Sequence, residues 1–349
     1  MISLITVFQK RDWTNYVQQS LQYDFYHTWY YHSLIKDDEP ILFVLHEGDD
    51  FIAFPLLKRK IPNSDLYDLT CVYGYTGPIS NRRLDDLPAQ MMDDFKSEFL
   101  HYLKGEKIVS VFSRLHPFFH QIPLMKHFEG VCDNGKVVIL DLQLPLEEQR
   151  SKYQKRVLEK IRQLRRHGFE VKEAHSQHDI SAFVAIYTEN MIRIGATDFY
   201  LFNEEYFEDL LSSTEFDSKL LMVYHNGEPV CGSVIICTQN IVQAHLLGTR
   251  TDYFRDSPAK LLTDEISIIG RQLGMHYFNL GGGVGFKEDS LFLWKSAFSS
   301  KSLDFKSWRY IADLEKYNAL VNEANIDPEL NVDYFPLYRY HNPQAKLYS

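Results

Sequence analysis

The residues with the clearest chemical potential lie at 278–298, in the stretch FNLGGGVGFKEDSLFLWKSAF. Gly281, Gly282, Gly283 and Gly285 follow a short apolar run, 277–280, that reads as a buried strand. Glycines directly after a strand let the backbone turn sharply and approach a ligand closely. Lys287 and Lys295 lie beyond them, with Glu288 and Asp289 between, and a lysine placed there can meet an anion. A loop carrying two solvated lysines fits the same residues. A second concentration of charge lies at 146–167, LEEQRSKYQKRVLEKIRQLRRH. It carries eight Lys/Arg and one acid, Glu159, between Arg150 and Arg166. Tyr153, Val157, Ile161 and Leu164 fall on one helical stripe. The segment fits a solvated helix face, or a phosphate or RNA contact through Lys155, Arg156, Arg162, Arg165 and Arg166. Arg193 can bind phosphate or carboxylate, or serve a structural ion pair. Tyr200 and Tyr206 read as packing residues. His116 and His120 are four apart with no further ligands nearby in sequence, so no metal is expected.

Several chemistries are excluded. Residues 281–287 are not a P-loop, since no Gly-Lys-Ser/Thr follows four spacer residues. They are not a dinucleotide GxGxxG, because Phe286 stands where the third glycine belongs. GxSxG and HExxH are absent, and no residue announces a covalent nucleophile. The chain has 349 residues and a formal net charge of −10, so nucleic acid or anionic lipid can be met only through a local patch. Four cysteines without zinc-ligand spacing fit a reducing cytosol. No run of 18 apolar residues and no signal-peptide core occur, so a cytoplasmic protein is expected, with at most transient contact with the inner membrane face.

The elements that would position these residues recur. Residues 11–36 read as two helices, the second ending near Lys36. The apolar runs 41–46 and 51–57 flank a Gly/Asp turn and read as a hairpin. A strand at 69–75, a helix opened by Pro88 and closed by Gly105, and a strand at 108–113 follow. Residues 136–142, KVVILDL, read as the last strand of this half. His225-Asn226-Gly227-Glu228 then matches His46-Glu47-Gly48-Asp49, an offset of 179 residues from 46 to 225. The PAKLLTD segment from Pro258 matches the PAQMMDD segment from Pro88 at an offset of 170. Leu293-Trp294-Lys295 matches Leu124-Met125-Lys126 at 169. Three ordered matches at nearly constant offset argue for duplication of one mixed α/β domain. The tail after about 325 reads as an extended aromatic arm or a poorly ordered end.

The duplicated order of helices, hairpin, strand, helix and strand is similar to tandem GNAT-type acyltransferase domains. In detail the chain resembles the FemABX family and its acyltransferase relatives. The matching residues are 73–79 (YGYTGPI), 155–166, 187–193, Tyr206-Phe207, 248–262 and 279–298. The resemblance implies two tandem GNAT-like domains with central mixed sheets, divided as 1–145 on the acceptor side and 146–349 on the donor side. A groove between them would hold the acceptor. It implies N-acyl or aminoacyl transfer onto an amino group of a cell-envelope precursor, a peptidoglycan peptide by default. The alternative is acyl-CoA-dependent transfer to an amino sugar in surface-polysaccharide synthesis, nucleotide- or lipid-linked. A non-catalytic glycan- or protein-binding module stays open. No tightly bound cofactor is implied, only aminoacyl-tRNA or acyl-CoA as donor.

Amide formation from an activated acyl group needs positioning, stabilisation of negative charge and a proton route. The resemblance gives Lys295 the electrostatic role, with Trp294 where the family has Phe. It sets the donor carbonyl where two parallel strands splay, between residues 247–249, with Gly248 and Thr249, and residues 279–281, with Asn279 and Gly281. Gly282 and Gly283 would shape the same site beside Lys287. Lys36 stands where the family binds a sugar-nucleotide acceptor. Two departures put the usual acceptor in doubt: Phe202 replaces an Arg four residues before Tyr206, and His116-Pro117 replaces Asp-Pro. His116 can hold an amine or relay a proton at neutral pH. The acetyl-CoA loop motif is also absent, replaced by 250–255, RTDYFR.

Overall fold

The computed structural model describes residues 1–197 and 200–340. The chain opens with β1 (Ile2–Thr6), α1 (Lys10–Gln19) and α2 (Trp29–Ser33), then the hairpin β2 (Glu39–Glu47) and β3 (Asp50–Lys60). β4 (Tyr67–Thr70), the short β5 (Ile79–Ser80), α3 (Ala89–Gly105), β6 (Ile108–Arg114) and α4 (Ile122–Met125) follow. Next come β7 (Val131–Asp141), α5 (Leu146–Ser151), α6 (Lys155–Arg166), β8 (Glu170–Ala174), α7 (Gln177–Arg193) and α8 (Glu204–Leu211). A second hairpin, β9 (Asp217–His225) and β10 (Glu228–Thr238), leads to β11 (Ile241–Thr249), α9 (Ala259–Gln272), β12 (Tyr277–Gly281) and α10 (Ser290–Ser296). β13 (Ser302–Ile311) and α11 (Leu314–Glu323) close the sequence of regular elements.

The duplication is visible in this order. α3 starts at Ala89 and α9 at Ala259, the offset of 170 read from the sequence. Each helix joins two parallel strands, β4 to β6 and β11 to β12. Parallel neighbours need such a crossover, whereas the antiparallel hairpins need only their Gly turns. The result is a mixed α/β fold used twice.

The division of the chain differs from the expected cut at 145/146. Unit 1 is Met1–Asn134 together with the chain from Asp304 onward, and unit 2 is Gly135–Leu303. The strand that ends each repeat closes the sheet of the other unit. In unit 1 the order is β1-β2-β3-β4-β6-β13, with β13 antiparallel to β6. In unit 2 it is β7-β12-β11-β10-β9-β8, with β7 antiparallel to β12 through Leu140↔Phe278 and Ile139↔Asn279. KVVILDL is therefore a strand, as read, but it completes the second sheet rather than the first. Apolar pattern marks a segment as a strand without naming its neighbour.

Both cores follow the sequence pattern. In unit 1 Phe95 and Phe99 of α3 are buried together with Phe43, Phe54 and Trp308 of the sheet. In unit 2 the stripe Val157, Ile161 and Leu164 of α6 packs with Leu262 and Ile266 of α9 and Phe278 of β12. The expected single helix over 146–167 is broken. Gln154 takes an extended ψ of 138°, and its N–H donates to the Ala297 carbonyl at 2.8 Å. The tail is not a free arm where it is described. Tyr338 is buried against Tyr317, Val321, Val109 and Ile61. Its hydroxyl donates to Asp68 at 3.0 Å, and Asp68 also pairs with Arg59 at 2.8 Å and Arg339 at 2.5 Å. Residues 341–349 of the tail lie outside the described residues.

A polar cluster lies inside unit 1. Asp24 caps the turn at Phe25–His27, accepting the Phe25 N–H at 2.7 Å. Its other oxygen meets His116 Nε2 at 2.9 Å with both side chains fully buried. His27 and His32 are also fully buried, and Nε2 of each has no hydrogen-bond partner. Burial pushes the His27 imidazole down to about 3 and that of His32 down to about 4. Both are thus neutral in the folded chain. Above their unfolded value of about 6.5 this has no consequence. Below it the unfolded chain takes up protons that the folded one cannot, so stability falls with pH. The expected loss between pH 7.5 and pH 5 is on the order of 2 kcal/mol per histidine. Urea unfolding across that range measures it, and a flat profile would contradict the buried neutral histidines.

Candidate active site

The two parallel strands of unit 2 share only three rungs: Ile241↔Tyr277, Val242↔Phe278 and Gln243↔Asn279. Beyond them the strands part. Each carries an irregularity just there. On β11, Ala244 faces Ile235 and Leu246 faces Val234, leaving His245 as an extra residue. On β12, Asn279 faces Ile139 and Gly281 faces Val138, leaving Leu280 extra. A bulge bends its strand and increases the local twist, so the two edges diverge. The last rung is locked by side chains. Asn279 Nδ2 donates to Gln243 Oε1 at 2.9 Å, and Asn279 Oδ1 accepts the Gly281 N–H at 2.9 Å. Asn279 thus works as a buried positioning residue at the root of the gap.

The walls of the gap are built from close approaches. A Cβ on Gly248 would lie 2.9 Å from the Tyr187 Cα, so α7 can pack directly on β11 only with glycine there. Thr249 ends the strand, and its carbonyl accepts from Arg193 Nη1 at 3.2 Å. The same guanidinium lies 4.4 Å from the Phe254 ring centroid and reaches Asn190 at 2.5 Å. Arg193 therefore has structural partners, on the rim of the gap. After β12, Gly281 turns the chain at φ 75°. A Cβ on Gly283 would meet the Lys287 carbonyl at 2.1 Å and Asp289 Oδ1 at 2.2 Å. Asp289 holds this loop to α10, accepting from Val284 N–H at 3.1 Å and Phe292 N–H at 2.9 Å.

Lys295 points from α10 back to this loop. Its Nζ donates to the Gly282 carbonyl at 2.6 Å. Burial pushes its ammonium down to about 8, partly offset by Asp289. A carbonyl satisfies one of three N–H donors, so two remain for an anion. Lys287, eight residues earlier, is exposed. The expected residues Gly248, Thr249, Arg193, Asn279, Gly281, Gly282, Gly283 and Lys295 thus gather at the C-terminal ends of two neighbouring parallel strands.

One functional candidate was missed by the sequence. His245 is buried on β11, and its Nε2 lies 3.2 Å from the hydroxyl of Tyr206 on α8. Tyr206 had read as packing. Val242 and Ala244 pack into the α9 core, so alternation along the strand puts His245 on the opposite face, and its partner on α8 lies 39 residues away in sequence.

The α9 N-terminus follows β11 by one loop and has no side-chain cap at Pro258. Lys260 in its first turn is held below the usual lysine range by burial and by Arg156 and Lys160 of α6. Arg156, Lys160 and Arg166 line a shallow depression beside it. Arg162 and Arg166 are exposed, and Lys155 stands 3.8 Å from Glu159. Arg165 does not belong to this face. It pairs with Glu265 and, at 3.3 Å, with the fully buried Asp264, which Arg150 grips through two nitrogens. Charge count alone could not separate the structural arginines from the free ones.

Among its described residues unit 1 has no comparable gap. Its strands meet again at a bridge between Thr76 and Leu115. Gly74 lies against the Tyr26 ring, and Gln121 donates to the carbonyls of Thr76 and Pro78 at 2.8 and 3.0 Å. His116 belongs to this plug: its ring stacks on Phe119 at 3.8 Å and both ring nitrogens are engaged. The proton-carrying role expected of it gives way to a positioning one, because the ring is sealed from solvent. Lys36 is exposed just past α2. Among the described residues no His/Cys/Asp/Glu group fit for a metal occurs, and no helix is long and apolar enough to cross a membrane.

Residues 151–289 match the family described as Acetyltransferase (GNAT) domain. No curated protein matches the chain. Among solved structures, FemX is similar at a TM-score of 0.69 and 11% identity, covering 91% of this chain and 99% of its own. A structure titled L-PGS, from Bacillus licheniformis, gives 0.58 at 14%, covering 90% and 96%. A tandem GNAT protein from the clavulanic acid biosynthesis pathway gives 0.51 at 7%, covering 88% and 98%. At these identities the likenesses are of fold.

The partial burial of Lys295 has a direct consequence. Competitive labelling with an amine-specific reagent, read by mass spectrometry, is expected to give Lys295 a reactivity midpoint near pH 8. A midpoint at the ordinary lysine value of 10.5 would contradict the desolvated setting.

Proposed function

We propose that this chain, an acyltransferase of FemABX/GNAT-like family, forms an amide between an activated acyl group and an amine of a cell-envelope precursor. The observation that carries the reading is the parting of β11 and β12 with Lys295 aimed at the loop beneath it. The gap offers one strand edge to the donor, and the acyl carbonyl sits over the glycine turn. The attacking nitrogen forms the C–N bond as the ester or thioester bond breaks. Negative charge develops on the carbonyl oxygen, and the Lys295 ammonium lies in reach of it. A preorganised donor in a desolvated site is worth far more than in water.

The GNAT domain implies acyl-CoA as co-substrate. The charge pattern supports a phosphate-bearing donor of that kind. An uncapped helix N-terminus with Lys260, Arg156 and Lys160 beside it suits a phosphate group. Aminoacyl-tRNA is the finer alternative, favoured by the exposed row Lys155, Arg156, Arg162 and Arg166. Lys36 and Lys287 are assigned to acceptor and donor anions respectively, roles their exposure permits. Phe202 stacks on Tyr206 at 4.2 Å where an arginine would bind phosphate, which favours an acceptor without a phosphate at that point.

A donor screen with labelled acyl-CoA and aminoacyl-tRNA pools and envelope amine acceptors tests the reading. Lys295→Ala is expected to lower kcat about 100-fold or more while donor binding persists. Because the charged form is the active one, wild-type turnover should fall as pH rises through about 8. Lys295→Arg should extend activity to higher pH. Full turnover in Lys295→Ala would remove the proposed role.

A further inference from the structure

Amide formation leaves one requirement that Lys295 does not meet. The attacking amine must lose a proton, and an ammonium that stabilises an oxyanion cannot accept it. Tyr206 and His245 meet the requirement. His245 lies on β11 two residues past the last rung shared with β12, so it sits at the start of the gap. It is the extra residue of the β11 bulge. His245 is only 6% exposed, while its hydrogen-bond partner Tyr206 is part-exposed. The phenol ring is held on one side by Phe202, stacked at 4.2 Å and 17°, and edge-on by Phe207 at 5.5 Å. Asn203 caps α8 by accepting the Tyr206 N–H at 3.0 Å, which fixes the backbone from which the ring projects. A buried imidazole hydrogen-bonded to the hydroxyl of a part-exposed tyrosine has the layout of a proton relay.

We propose that Tyr206 is the catalytic residue that takes the proton from the attacking amine, with His245 as the base behind it. This rests on the acyl-transfer reading above. In the tautomer with hydrogen on Nδ1, His245 Nε2 accepts the Tyr206 O–H. As the amine nitrogen bonds to the carbonyl carbon, its proton passes to the Tyr206 oxygen and the phenolic proton passes to His245 Nε2. When the C–O or C–S bond to the donor breaks, the imidazolium gives its proton back to the Tyr206 oxygen and the phenolic proton passes to the leaving alkoxide or thiolate, so both groups are restored. The pair also accounts for Phe202: an aromatic ring orients the phenol without placing a second cation beside the proton path.

The test uses the full chain with the donor and acceptor found in the screen, comparing wild type with Lys295→Ala, Tyr206→Phe, His245→Asn and His245→Gln. Tyr206→Phe keeps the ring stack and removes only the hydroxyl. It should lower kcat about 100-fold with KM within about threefold and an unchanged melting temperature. His245→Gln can still accept the Tyr206 hydrogen bond but cannot hold the proton, so it should be as impaired as His245→Asn. Both losses should shrink with an acceptor amine of low basicity. Near wild-type kcat in Tyr206→Phe, or recovery of turnover in His245→Gln, would overturn the relay and leave a structural pair. If Lys295→Ala is impaired while Tyr206→Phe is not, the acyl-transfer reading stands and this inference falls. If wild type transfers no acyl group from any donor, both fall.

Discussion

The structure of unit 2 depends on one constraint: two parallel strands held together for three rungs and then forced apart. The Gln243–Asn279 amide bond locks the last rung, and a bulge on each strand turns the edges away from one another. A sheet that parts in its middle exposes backbone groups that would otherwise be satisfied, which is costly unless a ligand or side chain takes them. Gly248, Thr249, Asn279, Gly281, Gly282, Gly283 and Lys295 lie along this opening or on the loop below it. Gly248 and Gly283 have no side chain because α7 and the Lys287 carbonyl already occupy that space.

Unit 1 shows the same plan with the opening filled. Tyr26 lies against Gly74, Gln121 spans two backbone carbonyls, and the Asp24–His116 pair seals the polar interior behind them. These side chains occupy the place that stays open in unit 2. One duplicated plan thus yields a plugged copy and an open copy. Which is which follows from a few bulky side chains rather than from the backbone order.

The exchange of closing strands ties the two repeats into units that do not coincide with the halves of the sequence. β7 belongs to the first repeat by order and to unit 2 by pairing, and β13 the reverse. The described residues after β13 belong to unit 1, where buried Asp68 gathers Arg59, Tyr338 and Arg339. Such a carboxylate is stable in a core only with partners of this kind.

The amino-acid sequence by itself determined the mixed α/β class, the duplication, the hairpins, the apolar stripe of α6 and the glycine-rich loop with its lysines. These are local: periodicity, turn chemistry and spacing carry them within a few residues. Tertiary structure alone decided which strand closes which sheet, that Arg165 serves Asp264 rather than solvent, that His116 is sealed, and that the basic helix breaks at Gln154. It also brought His245 to Tyr206, across 39 residues of chain. Each of these depends on a long-range partner, and a partner is a property of packing that neither composition nor period encodes.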